Sequence, residues 1–290
     1  MNNFNKGIIS TFIGSFWWGV IGVIYFKYVS IVNPFEVVSH RVLWTIIFLS
    51  IIIYFNNKLN SFFLIFKDSK KVIILFLSGL MIFINWATWI YALTDDQLIE
   101  ASFGYYIFPI LSVFLGSIFL GEKLNFQKKI SIFIILVSIS YMIFFLESFP
   151  FIGLVVAFSF SFYALLRKMV NVDTDIGLLI ESIFLIPIII FIFYYLNENY
   201  EIVFSLKNLN ISLILILAGP MTVIPLFLFV KGTELSGLGP ASMIFFVAPT
   251  GQFILGILLY NEPLILNKLI GFVFIWIAVL IYLKDIYENN

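Results

Sequence analysis

The sequence contains no cysteine and a single histidine, His40. Without cysteine there is no disulfide framework, no thiol nucleophile and no thiolate metal site. One imidazole alone cannot build a histidine-rich metal centre. Charge is scarce too: Asp, Glu, Lys and Arg make up 11% of the chain, where a soluble domain carries about a quarter. Acids and bases balance at 16 each, so no basic excess invites nucleic acid. The G-x-x-x-x-G-K-[ST] loop is absent, which leaves no ATP-driven engine in the chain and implies no ATPase subunit. Neither H-E-x-x-H nor G-x-S-x-G occurs, and no loop resembles a selectivity filter. No cofactor and no metal is expected, and an enzyme is not the expected class.

What remains is hydrocarbon. The chain is 62% hydrophobic, with a mean hydropathy of +1.11. Apolar runs of about 20 residues, each able to cross roughly 30 Å of bilayer as a helix, recur along its length. The expected fold is an all-α integral membrane protein with ten transmembrane helices, at 7–26, 34–55, 72–93, 99–120, 130–146, 150–168, 177–196, 209–230, 238–260 and 269–283. Pro34, Pro150, Gly177 and Gly237 read as punctuation between them. The run Gly7–Phe26 is longer than a signal-peptide core and no small-residue cleavage site follows it, so it reads as a retained signal-anchor.

Lysine and arginine in short loops set the orientation. With a cytoplasmic N-terminus the inner side collects Lys6, Lys58, Lys67, Lys70, Lys71, Lys123, Lys128, Lys129, Arg167, Lys168, Lys231 and Lys284. The outer side holds only Lys27, Lys207 and Lys268. Both termini are therefore expected in the cytoplasm.

Offset by 140 residues, the sequence matches itself without a gap: Pro109, Gly116, Glu122 and Lys128 fall on Pro249, Gly256, Glu262 and Lys268. Shared greasiness does not supply proline, glycine, glutamate and lysine in register, so this reads as duplication. A period of five helices is odd, so the two copies must lie in opposite orientations, as inverted repeats do in secondary transporters. The boundaries are 1–147 and 148–290, two five-helix repeats in one membrane domain. Pro109, Gly116, Pro249 and Gly256 are expected in structural or hinge roles, and Glu122 and Glu262 as loop anchors at opposite faces.

Ionisable groups inside hydrocarbon are costly and are candidates for function. The stretch "EVVSHRVLW", 36–44, starts the second helix just after Pro34, and Glu36, His40 and Trp44 share one of its faces. Arg41 lies about 10 Å below the outer end, within reach of snorkelling. Glu181 stands about one turn into the seventh helix, in the repeat position opposite His40 and Arg41. Arg167 and Lys168 read as positive-inside anchors, Lys168 above all. Glu100, at the outer start of the fourth helix, suits either the helix dipole or a substrate. Trp17, Trp18, Asn85, Trp86, Trp89, Tyr105, Tyr106 and Tyr163 are too deep for all to be interface residues; an aromatic cavity with a few polar groups is what a small organic ligand needs.

At these residues the chain resembles the RarD group of the EamA-type drug/metabolite transporters, over essentially its full length. The resemblance lies in "SHRVLW" (39–44), "NW" (85–86), "EASFGYYIFPILSVFLGSIFLGEKL" (100–124), "AFSFSFYALLRK" (157–168), "IESIFLIP" (180–187) and "APTGQFILGILLYNEP" (248–263). It implies ten helices in two inverted repeats, a central cavity opened alternately to either side, placement in the bacterial inner membrane and carriage of a small organic solute. The sequence departs from the group at Phe245, where glutamine is usual, and at Val223, where a second threonine is usual.

The expected function is secondary active transport of a small metabolite or drug-like solute by alternating access. His40 and Arg41 would face the cavity from the outer half and Glu181 from the inner half. Arg41 would meet a substrate carboxylate or phosphate-like group, or Glu100 when the site is empty. Proton coupling would use His40 and Glu181. The alternatives are a non-transporting polytopic membrane protein and an integral membrane enzyme using Glu36 and His40.

Overall fold

A computed structural model of the chain describes residues 2–94, 98–145, 151–260 and 266–289, without the side chains at 93, 94, 98–102, 260, 268, 287 and 289. The expectations placed on Glu100, Pro150, Glu262 and Lys268 concern residues outside the described backbone or side chains.

Long apolar runs with few breakers give helices throughout, and no strand occurs among the described residues. In chain order they are α1 Asn3–Val29, α2 Pro34–Phe55, α3 Leu59–Ile65, α4 Ser69–Thr94, α5 Leu98–Phe119, α6 Phe126–Phe144 and α7 Phe151–Val170. There follow α8 Thr174–Phe184, α9 Ile186–Asn199, α10 Leu209–Ser236, α11 Leu238–Ile244, α12 Val247–Tyr260 and α13 Leu266–Asn289. Among the described residues, eight spans are long and apolar enough to cross a membrane, or nine if α8 and α9 count as one. Phe103–Phe119, within α5, is a shorter apolar helix. Large apolar side chains such as Ile118 (71% exposed) and Leu280 (66%) cover the outside, as a surface facing acyl chains requires.

Two expected spans are broken, each for a physical reason. The seventh, expected as 177–196, bends by 45° between α8 and α9. Pro187 has no N–H for the Ile183 carbonyl and its ring crowds that carbonyl, so the chain turns at Leu185. The ninth, expected as 238–260, breaks at Phe245 and Phe246 ahead of Pro249. The Phe245 carbonyl, deprived of the proline donor, accepts from Ala248 N at 2.9 Å. By contrast α5 stays helical through Pro109. A further departure lies inside α1, where Trp17–Gly22 is π-helical. There Gly19 meets α12 backbone to backbone: a Cβ on it would stand 2.6 Å from the Ala248 carbonyl oxygen.

Side-chain bonds fix the directions of the helices. Asn125, the N-cap of α6, donates to Asp285 near the end of α13 (2.6 Å), and Tyr141 at the other end of α6 donates to Asn267 at the start of α13 (3.2 Å). These two helices therefore run antiparallel. Lys58, just past α2, binds Asp175 in the first turn of α8, while Glu36 in the first turn of α2 binds the backbone just past α9; they too run antiparallel. Ser10 donates to the Leu228 carbonyl and Tyr25 to that of Ile214, which sets α1 against α10 in opposite senses. At the centre Phe160 packs on Phe229 (5.2 Å between centroids) and Phe108 on Phe245 (4.9 Å). This aromatic plug joins α5, α7 and α10 at the break between α11 and α12.

Candidate functional site

Beside the plug lies a small, partly open cavity. Its wall is largely aromatic: Trp18, Phe26, Trp86, Trp89, Tyr105 and Phe245 contribute rings. Its polar groups are Arg41, Asn85 and Gln252. The π-helical stretch of α1 carries Trp18 to this wall, where it meets Phe160 edge-on at 5.7 Å and Phe245 at 5.7 Å.

Arg41 is 4% exposed. Its Nε donates to Thr222 Oγ1 at 3.1 Å, and its guanidinium carbon lies 4.6 Å from the Trp86 ring centroid and 5.2 Å from that of Phe26. Cation–π attraction of this kind gives about 2 kcal/mol where water is excluded. Among the described residues no carboxylate pairs with Arg41. The anchor around it is rigid: Asn85 Nδ2 donates to the Val156 carbonyl (3.0 Å) and Ser159 Oγ (3.3 Å), and Asn85 Oδ1 accepts from the Tyr105 hydroxyl (3.3 Å).

Of the residues singled out in the sequence, Trp18, Arg41, Asn85, Trp86, Trp89 and Tyr105 are thus brought to one cavity. Others are not. His40 Nδ1 accepts from Trp44 Nε1 at 3.1 Å, and the imidazole packs on Phe204 at 4.6 Å and Phe193 at 5.5 Å. His40 and Trp44 lie on the face of α2 toward α9, and neither lines the cavity. Glu36 accepts from the backbone N–H of Val203 (3.1 Å) and Phe204 (2.9 Å), so it pins the connection between α9 and α10. Its oxygen is 3.9 Å from His40 Nε2.

Glu181 and Tyr163 form a second cluster beyond the plug. Glu181 is 2% exposed; Ser78 Oγ donates to its Oε1, the Tyr163 hydroxyl reaches Oε2 at 3.5 Å, and Arg167 Nε lies 3.5 Å from Oε1. Arg167 is therefore no interface anchor: it is 1% exposed. Gly177 makes room for it, since a Cβ there would collide with the guanidinium, so this glycine is a packing site inside α8 rather than a helix boundary. Lys168 does sit at a helix end, donating to the last carbonyls of α10 at Thr233 (3.0 Å) and Glu234 (2.7 Å). Glu122 caps α11, accepting from Leu238 N (2.6 Å) and Gly239 N (2.8 Å).

Thr222 and Gln252 escaped the sequence reading. Both are polar residues within largely apolar helices, a signal of the same kind as that of Asn85. Val223, where the resemblance leads one to expect threonine, is buried in the core beside Leu226, one position from the threonine that holds Arg41.

Comparison with known proteins fits this architecture. The EamA-like transporter family matches residues 5–144. A Vibrio cholerae protein described as an uncharacterized transporter is 31% identical over 280 residues, covering 97% of this chain and 92% of that one. The Protein RarD of Salmonella typhi is 30% identical over 280 residues, covering 97% and 95%. A crystal structure superposes with a TM-score of 0.72 over 95% of this chain and 96% of the other; at 13% identity it bears on the fold alone. Identity at this level along nearly the whole length places the chain in the RarD-type EamA-like transporters of the drug/metabolite transporter superfamily, a family of multi-pass membrane transporters.

Proposed function

We propose that the chain is a secondary transporter that moves a small organic solute across the bacterial inner membrane by alternating access. Ten crossings arise from two inverted five-helix repeats, 1–147 and 148–290, with both termini cytoplasmic. The observation that carries this reading is Arg41: a buried guanidinium, unpaired by any described carboxylate, in an aromatic cavity among apolar helices. A charge kept inside hydrocarbon at such expense marks a solute path.

Several features support the repeat. At the 140-residue offset Arg41 corresponds to Glu181, the buried charge of the other cluster, and Tyr105 to Phe245, whose rings meet at 5.7 Å. Gly79 packs on the Glu181 backbone and its counterpart Gly219 on that of Trp44. The antiparallel pair α6 and α13 would be equivalent helices, and opposite directions are what inversion demands. The lysine-bearing ends meet one another through Lys58, Glu122 and Lys168, which supports a common cytoplasmic side. Pro109, Gly116, Pro249 and Gly256 are the hinge candidates, and the break before Pro249 is one of the places where the repeats differ.

The test is uptake into proteoliposomes of amino acids, organic acids, nucleobases and amphenicols, with Arg41→Ala alongside. Uptake of one class that Arg41→Ala abolishes is expected; uptake untouched by Arg41→Ala removes the assignment. Proton coupling through Glu181 is a separate element of the reading. A rate that ignores an imposed pH gradient would remove it and leave the rest standing. The enzyme alternative gains nothing from Glu36 and His40, which are held by backbone amides and by Trp44.

A further inference from the structure

The described wall of the cavity carries one full charge, that of Arg41, and no carboxylate to balance it. Its other polar groups are neutral: two amides, the Tyr105 hydroxyl and the indole N–H groups. The Asn85 amide is committed to Val156, Ser159 and Tyr105, and Gln252 Oε1, buried without a partner, is neutral. The Trp86 and Phe26 rings also approach the guanidinium, and Thr222 takes its Nε. No hydrogen bond among the described residues occupies the Nη nitrogens. They form the fork that meets a carboxylate through two parallel bonds.

Charge bookkeeping then limits the ligand. Removing a guanidinium from water costs several kcal/mol, more than the roughly 2 kcal/mol that a desolvated cation–π contact returns. One negative charge on the ligand closes the gap. A second would lie against ring faces that are themselves electronegative, with no second cation in the described wall. A cationic ligand would be repelled by Arg41. The rest of the wall, Trp18, Trp89, Tyr105 and Phe245 with Trp86, favours a flat apolar body.

We infer that the cavity selects a flat organic monoanion, its single carboxylate on the Arg41 fork and its ring among the tryptophans and Tyr105. This rests on the reading that the Arg41 cavity holds the transported solute, and it adds charge number and shape to that reading.

Four probes built on one benzene ring test it on the purified full chain: benzoate, the neutral benzamide, the larger dianion phthalate and the cation benzylamine, at matched ionic strength. Trp18, Trp86 and Trp89 provide an intrinsic fluorescence signal, and thermal unfolding provides a second. The expected result is saturable benzoate binding at least about 10-fold tighter than that of benzamide or phthalate, with benzylamine absent. Arg41→Gln should erase the preference of benzoate over benzamide. Should that variant not fold, Arg41→Lys, which keeps the charge and loses the fork, should keep the preference with weaker binding. Equal binding of benzamide or phthalate, a preference that survives Arg41→Gln, or no binding by any probe at high millimolar concentration overturns the inference. Proteoliposome flux separates the two readings. Benzoate selectivity with no flux of any solute leaves the inference standing and sinks transport; flux without charge preference does the reverse.

Discussion

Arg167 Nε lies 3.5 Å from Glu181 Oε1, with the two side chains 1% and 2% exposed. The pair links α7 to α8 on the far side of the plug from the Arg41 cavity. Tyr163, which reaches the Glu181 carboxylate, also stacks on Phe160 of the plug at 6.0 Å and 13°. The two buried charges that the proposed repeat would relate, Arg41 and Glu181, are thus on opposite sides of one aromatic layer.

Removing one member of a buried pair strands the other charge and costs about 3–5 kcal/mol, whereas replacing both with apolar groups is often close to neutral. Glu181→Gln and Arg167→Met should each lower the melting temperature in detergent sharply. The double variant should recover most of the loss. Losses that simply add would show that the two groups act independently.

Glu122 offers a second test of packing. It accepts two backbone N–H groups at the start of α11, and Gly116 leaves space for it, because a Cβ there would stand 3.0 Å from Glu122 Oε2. Glu122→Ala should destabilise by about 1–3 kcal/mol, the range for caps and for hydrogen bonds to charged groups. Gly116→Val attacks the same cap from outside, so combining the two should cost less than their sum. Chemical unfolding of the four proteins reads this directly.

Lys58, outside the spans, gives a pH prediction. Burial works against its charge, but hydrogen bonds and attraction from Asp175 and Asp173 outweigh that and hold its pKa above the ordinary lysine value. A group raised in the folded state adds stability below its unfolded value, about 10.4, and loses it as pH climbs through the raised folded value. Lys58→Met should therefore melt below the parent at pH 8, with the gap narrowing above pH 11. The gap should be small, since the lysine is 34% exposed and water screens the pair. A gap that widens with pH would contradict this.

Much of the fold was legible because hydrocarbon thickness imposes its own length on apolar runs, and Pro34 marks a helix start by local chemistry alone. The breaks at Leu185 and Phe245 were signalled by Pro187 and Pro249, yet membrane helices often run through proline, as α5 does at Pro109, so the residue alone does not decide. The site was half legible. Aromatic and amide residues at mid-span depth pointed to the cavity, and five of them meet there. His40 did not follow Arg41, because neighbours about 100° apart on a helix face different partners, and Phe204 arrives from 164 positions away. Arg167 was ambiguous for the same reason: a cation at a helix end fits an anchor until another helix delivers Glu181 to it. Thr222 and Gln252 were visible as isolated polar residues but had no partner in sequence to draw notice.

The central claim is that the path opens in alternation on the two sides of the plug, the Arg41 cavity to the outer face and the Glu181 side to the inner face. Because the chain has no cysteine, single-cysteine variants report only where they are placed. Gln252→Cys samples the cavity, and Ser78→Cys, beside Glu181, samples the far side of the plug. Labelling with a membrane-impermeant maleimide, applied to each face of oriented vesicles in turn, is the most direct measurement. Alternating access predicts that the first is labelled from the outer face and the second from the inner face, and that a bound solute raises one rate while lowering the other. Labelling of both positions from the same face, or rates indifferent to solute, would contradict it.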